Sequence, residues 1–180
     1  MLFCCPFDAL GGTMATYAGQ NIGARKLERV TRGVHAADAI GIIYALGAFA
    51  VTFFFGEQIP RLFVDAAEAE VIHQAYQYML ANALFFIALV FVNVYRFTIQ
   101  GLGFSGFAVF AGVFEMVARA FMGFAMVPVF AYPAVCLASP LAWIFADIFL
   151  IPAFGHCMKK LYKQFGEEER LEVLRAKVSH

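Results

Sequence analysis

Charge is what this sequence has least of. Asp, Glu, Lys and Arg make up 14% of its 180 residues, about half the share of roughly 25% expected in a soluble globular chain. Neither sign prevails, since 13 Lys and Arg balance 13 Asp and Glu. That excludes a basic nucleic-acid-binding domain and leaves no global field to draw an anionic partner. Cysteine is scarce as well. Cys4 and Cys5 are adjacent, while Cys136 and Cys157 stand alone, so no CxxC zinc or redox pair and no secreted disulfide framework is present. Such residues read as small apolar side chains in helices. Residues 1–10 lack the basic stretch and small-residue cleavage site of a signal peptide. Catalytic signatures are missing too. There is no Ser/His/Asp set and no HExxH, and the turn Gly19-Gln-Asn-Ile-Gly-Ala24 matches neither GxGxxG nor GxxxxGKS/T. His35, His73 and His156 show no helical metal pairing. The expectation is a protein that is not an enzyme and carries no cofactor or metal.

What is abundant is apolar. Hydrophobic residues reach 62%, Phe alone occurs 22 times, and the mean hydropathy is +0.74. Four long apolar segments stand out, at 34–56, 71–95, 106–128 and 138–158. Each is long enough, at about 1.5 Å per residue, to cross a hydrocarbon core of about 30 Å. Residues 1–19 form a shorter apolar stretch containing Asp8, read as a partial transmembrane helix. Runs of this length without polar/apolar alternation imply helices rather than barrel strands. The fold class is therefore all-α, a polytopic membrane helix bundle of about 4.5 transmembrane helices. Residues 20–33 read as a basic cytoplasmic loop and 159–180 as a cytoplasmic tail.

The scarce charges also orient the chain. Arg25, Lys26, Arg29 and Arg32 fall in the first loop and Arg96 in the third. Lys159, Lys160, Lys163, Arg170, Arg175 and Lys177 fall in the tail. The second loop holds Arg61 with Glu57, Asp65, Glu68 and Glu70. The positive-inside rule then places the first loop, third loop and C-terminus in the cytoplasm. Pro128, Pro133 and Pro140 punctuate the last turn, where a helix is expected to stop, and Pro152 is expected to kink the fourth helix. In the tail, Leu171, Leu174 and Val178 share one face of a short amphipathic helix, suited to a membrane surface or to solvent.

Ionisable residues at membrane depth are costly and usually face a partner or a cavity. Glu115 and Arg119, four residues apart with the acid first, have the spacing of a same-face ion pair. They read either as a salt bridge locking helices together or as a cation-responsive carboxylate beside a cavity. Asp147 has no basic residue at i±3 or i±4, so its partner must come from another helix, headgroups or water. Asn93 lies in a polar cluster with Tyr95, Arg96 and Gln100, where it bonds across a helix contact or lines a cavity; Arg96 can snorkel to the interface. Glu115, Arg119, Asp147 and Asn93 are thus the candidate pathway residues. Asp38 and Asp8 are less informative, the first because it lies near the start of its segment.

Four collinear motifs resemble those of the MATE (multidrug and toxic compound extrusion) transporters. The Gly19-Gln-Asn-x-Gly-Ala24 turn before Arg25, Lys26 and Arg29 is similar to the loop after the second helix of each lobe. Gln100-Gly-Leu-Gly103 resembles the R/Q-G-x-G turn, Glu115-Met-Val-Ala-Arg119 the E-x-x-x-R motif, and Pro140-Leu-Ala-Trp143 the start of the last helix. The resemblance spans nearly the whole chain. It implies part of a twelve-helix, two-lobe transporter, here the second half of helix 8 and helices 9 to 12 of the C-terminal lobe. It further implies export of cationic or amphipathic compounds from the cell, driven by antiport of Na⁺ or H⁺ as the coupling ion. The implied partners are membrane lipid, a small-molecule substrate and the missing N-terminal lobe, with no nucleic acid. The implied location is the plasma membrane. Some members carry a cation-site aspartate where this chain reads Ala88-Leu-Val90, which leaves Glu115 and Asp147 as local candidates. Alternating access needs two repeats, so these 180 residues alone are expected not to transport. A lipid-linked oligosaccharide flippase fragment and a non-transporting structural membrane subunit are the alternatives. A channel would show a filter loop or a repeated polar pore face.

Overall fold

The computed structural model describes residues 2–62 and 68–178. A short 3₁₀ turn, Leu2–Cys4, leads into α1 (Cys5–Gly23), followed by α2 (Leu27–Phe55) and a second 3₁₀ turn, Pro60–Leu62. Next come α3 (Ala69–Leu84), α4 (Phe86–Gly101) and α5 (Ser105–Phe121). A five-residue π segment, Met122–Met126, passes into α6 (Val127–Phe130), and α7 (Tyr132–Val178) completes the chain. No strand occurs among the described residues. A helix satisfies its own backbone polar groups, which is the requirement a bilayer imposes.

Leu27–Phe55, Ser105–Phe130 and Tyr132–Glu168 are each long and apolar enough to cross a membrane. Ala69–Leu84 and Phe86–Gly101 together meet the same test as one span bent by 53°. α1 is not among these spans; it contributes a packing face instead. Phe7, Gly11, Met14, Ala18 and Asn21 are its buried residues, spaced at three to four residues as a helix stripe requires.

α4 is the centre of the bundle, with α1, α2, α5 and α7 packed around it. The core joins Phe7 and Met14 from α1 to Val90 and Val94 from α4, and to Trp143, Ala146 and Leu150 from α7. α2 approaches through a small-residue stripe, Ala37, Gly41, Ala45 and Ala48, which lets van der Waals contact replace the hydrophobic drive that lipid does not supply. α1 and α4 approach closely at Gly101, where a Cβ would lie 2.9 Å from Ala15 Cα. Outward faces are apolar: Ile40, Ile43 and Phe54 on α2, and Val109, Phe110 and Met116 on α5, are each more than half exposed. Such a surface fits acyl chains, not water.

Several boundaries differ from those read in the sequence. The basic loop expected at 20–33 is mostly helix, because α1 runs to Gly23 and α2 starts at Leu27. The span expected at 71–95 is broken at Phe85, next to neither Gly nor Pro, and continues to Gly101. The connection expected between 128 and 138 shrinks to Ala131, which takes a positive φ of 51°. Pro133 sits in the first turn of α7, where a missing N–H costs nothing, and Pro128 directly follows the π segment in α6. Pro140 and Pro152 lie inside α7, tolerated there by packing within the bundle. The separate tail helix is instead continuous with the last span, one helix of 47 residues. Asp65 and the side chains of Leu171, Leu174 and Val178 lie outside the described residues.

Candidate functional site

The charged and polar residues of the spans converge on α4. Arg96, half-buried, makes an ion pair with Glu115 of α5. Arg119, one turn further along α5, approaches the other oxygen of the same carboxylate at 3.3 Å. The Glu115 side chain is 12% exposed, so its charge is offset almost entirely by the two guanidinium groups. The pairing of Glu115 with Arg119 follows from helical spacing. The pairing with Arg96 arises because the Leu102–Phe104 turn, with Gly103 at φ 87°, folds α5 back along α4.

On the α2 and α7 sides of α4 the network continues. The Tyr95 hydroxyl donates to Asp38 Oδ2 of α2 at 3.4 Å. The Tyr95 ring is steadied edge-on by Phe154 of α7, with centroids 5.3 Å apart. Asp147 of α7 is buried, as are Asp38 and Asn93. Asp147 interacts electrostatically with Asp38 and with Arg96. Among the described residues, Asp38 Oδ1, Asp147 Oδ1, Asn93 Nδ2 and Arg96 Nε are buried without a hydrogen-bond partner. Orphaned polar atoms in an apolar bundle are expensive. The network holds three carboxylates, Asp38, Asp147 and Glu115, and two guanidinium groups, Arg96 and Arg119. With all of them ionised it carries one uncompensated negative charge, so one added cation neutralises it.

Of the four candidates read from the sequence, Glu115 and Arg119 are brought into direct contact. Asp147 joins them through Arg96, and Asn93 lies buried one turn before Arg96 on α4. Sequence reasoning missed Asp38, Tyr95 and Arg96 as members. A span starting at residue 34 puts Asp38 near one end. α2 starts at Leu27, which puts Asp38 about eleven residues, roughly 16 Å, along the helix. Arg96, read as an interfacial snorkelling residue in a loop, lies inside α4 and is held by Glu115.

The fold and this network define a multi-pass helical membrane protein with an acidic polar network among its spans. The MatE family model matches residues 1–125, a stretch that includes Asp38, Tyr95, Arg96, Glu115 and Arg119 but not Asp147. The chain belongs to the MatE family and is a MATE-type transporter chain. No curated protein and no solved structure matches it.

Proposed function

We propose that this chain forms one lobe of a secondary-active exporter that expels cationic or amphipathic compounds across the plasma membrane in exchange for Na⁺ or H⁺. The observation that carries this reading is the acidic excess of the network around Tyr95 and Arg96, with buried carboxylate oxygens on Asp38 and Asp147 that have no hydrogen-bond partner among the described residues. A coupling ion and a cationic substrate compete for that one missing positive charge, which is the minimum an antiporter needs. Ion arrival releases the substrate, and substrate arrival releases the ion. A second helical lobe completes the cavity, because alternating access requires two repeats rocking about a shared site. The C-terminus is cytoplasmic in this reading, since Arg25 meets Glu168 at 3.1 Å and Lys160 lies over Phe104. Those contacts gather the first turn, the α4–α5 turn and the basic end of α7 at one end of the bundle. Efflux of an ethidium-type dye from cells expressing the transporter that carries this chain tests the reading. Efflux should stop when both Na⁺ and H⁺ gradients are collapsed; efflux that continues would contradict ion-coupled antiport.

A further inference from the structure

At that same end of the bundle, away from the acidic network, α1 and α2 are joined by a turn of only three residues, Ala24, Arg25 and Lys26. It is closed by backbone bonds from Arg25 N to Ile22 O and from Lys26 N to Asn21 O, both 2.9 Å. Arg25 takes a left-handed conformation at φ 57°. Tight closure packs four cations, Arg25, Lys26, Arg29 and Arg32, into eight positions. α7 forms the facing wall. The Arg25 guanidinium lies 5.8 Å above the Phe165 ring, and Tyr162 and Phe165 line a cleft of about 570 Å³ with the four basic residues.

Acidic neighbours answer only part of this charge. Glu168 pairs with Arg25 at 3.1 Å and Glu28 with Arg32 at 3.5 Å. No ion pair engages Lys26 or Arg29 among the described residues. The cleft therefore keeps two positive charges beside two aromatic rings. Its depth is set by the helix. α2 has 29 residues, about 43 Å, whereas the hydrocarbon core is about 30 Å thick. The outward apolar face of α2 begins at Ile40, so the turns carrying Lys26 and Arg29 stand at headgroup level. Tyr162, about half exposed, is of the type enriched at that interface.

We propose that this cleft binds the headgroup of an anionic phospholipid, with Lys26 and Arg29 on the phosphate and Tyr162 and Phe165 against the glycerol and upper acyl chain. Charge complementarity and position both select such a ligand. Basic pockets between spanning helices attract acidic headgroups, and each cation near an anionic surface contributes to the attraction.

The test uses the full chain in nanodiscs, with retention of a fluorescent phosphatidylglycerol measured against phosphatidylcholine. The protein should prefer phosphatidylglycerol, and the double variant Lys26→Gln/Arg29→Gln should weaken that preference about tenfold or more. The charge-conserving variant Lys26→Arg/Arg29→Lys should keep most of it, and its helicity by circular dichroism reports that the fold is intact. Lys163→Gln, which removes a cation already paired with Glu167, should change it less than twofold. Equal retention of the two lipids would overturn the proposal. So would an equal loss in Lys163→Gln and the double variant, which would indicate bulk charge and no site. Inorganic phosphate should not displace the lipid at millimolar concentration; full displacement would mean a free-anion site and would likewise overturn it.

Discussion

The Tyr95 hydroxyl reaches Asp38 across 57 positions of sequence, linking the central helix to α2 through a buried carboxylate. Nothing else among the described residues hydrogen-bonds the Asp38 carboxylate; its second oxygen is buried and unpartnered. Tyr95→Phe keeps the ring against Phe154 and removes only the donor. Thermal stability in detergent should fall by about 1 kcal/mol, and dye efflux should fall more than protein abundance does. An unchanged efflux rate would take Tyr95 out of the working site.

Arg96 and Glu115 supply a double-mutant cycle. Glu115→Leu removes the ion-pair partner of Arg96, leaving it only the electrostatic interaction with Asp147, and should destabilise the bundle by about 3 kcal/mol. Arg96→Met should cost less, because Arg119 still reaches Glu115. The combined variant should be more stable than Glu115→Leu alone, since removing both members of a buried pair is often close to neutral. Simple additivity of the two losses in chemical denaturation would show that the pair is not coupled.

Much of this organisation is written in the sequence, and the parts that are not have identifiable physical reasons. The apolar runs betray the spans, and a separation of four betrays Glu115 and Arg119. Arg96 could not be assigned to Glu115 from periodicity, because the two meet only when the α4–α5 turn folds back. Asp38 and Asp147, 109 residues apart by numbering, come within electrostatic reach of each other because both helices pack on α4. The bend at Phe85 carries no Gly or Pro signal, whereas Pro140, which carries one, sits in an unbroken helix. Tertiary contact decided both against local preference.

Gly101 marks a close approach of α1 to α4, where an added Cβ would press into the Ala15 backbone. Backbone cannot rotate away as a side chain can. Gly101→Ala should lower the melting temperature clearly, and Gly12→Ala, at a position where a Cβ meets nothing within 4 Å, should leave it unchanged or raise it slightly. Equal shifts for the two would contradict the close packing of these helices.

The Arg25–Glu168 pair tells the opposite story about charge. Its side chains are 51% and 38% exposed, so solvent and salt screen it. Glu168→Gln should change stability by at most about 1 kcal/mol, and less at high ionic strength. A large loss would mean that α7 depends on this contact to stay beside the α1–α2 turn.

On the proposed function, the buried carboxylates of α2 and α7, Asp38 and Asp147, hold the coupling ion. The most direct test is gradient-driven dye transport in proteoliposomes containing the complete transporter, with wild type, Asp38→Asn and Asp147→Asn compared at equal reconstitution. Wild type should accelerate transport when a Na⁺ or H⁺ gradient is imposed, and each variant, its network left neutral, should lose that acceleration and bind the cationic dye more weakly. Acceleration that persists in both variants would contradict the account and return these residues to a purely structural role.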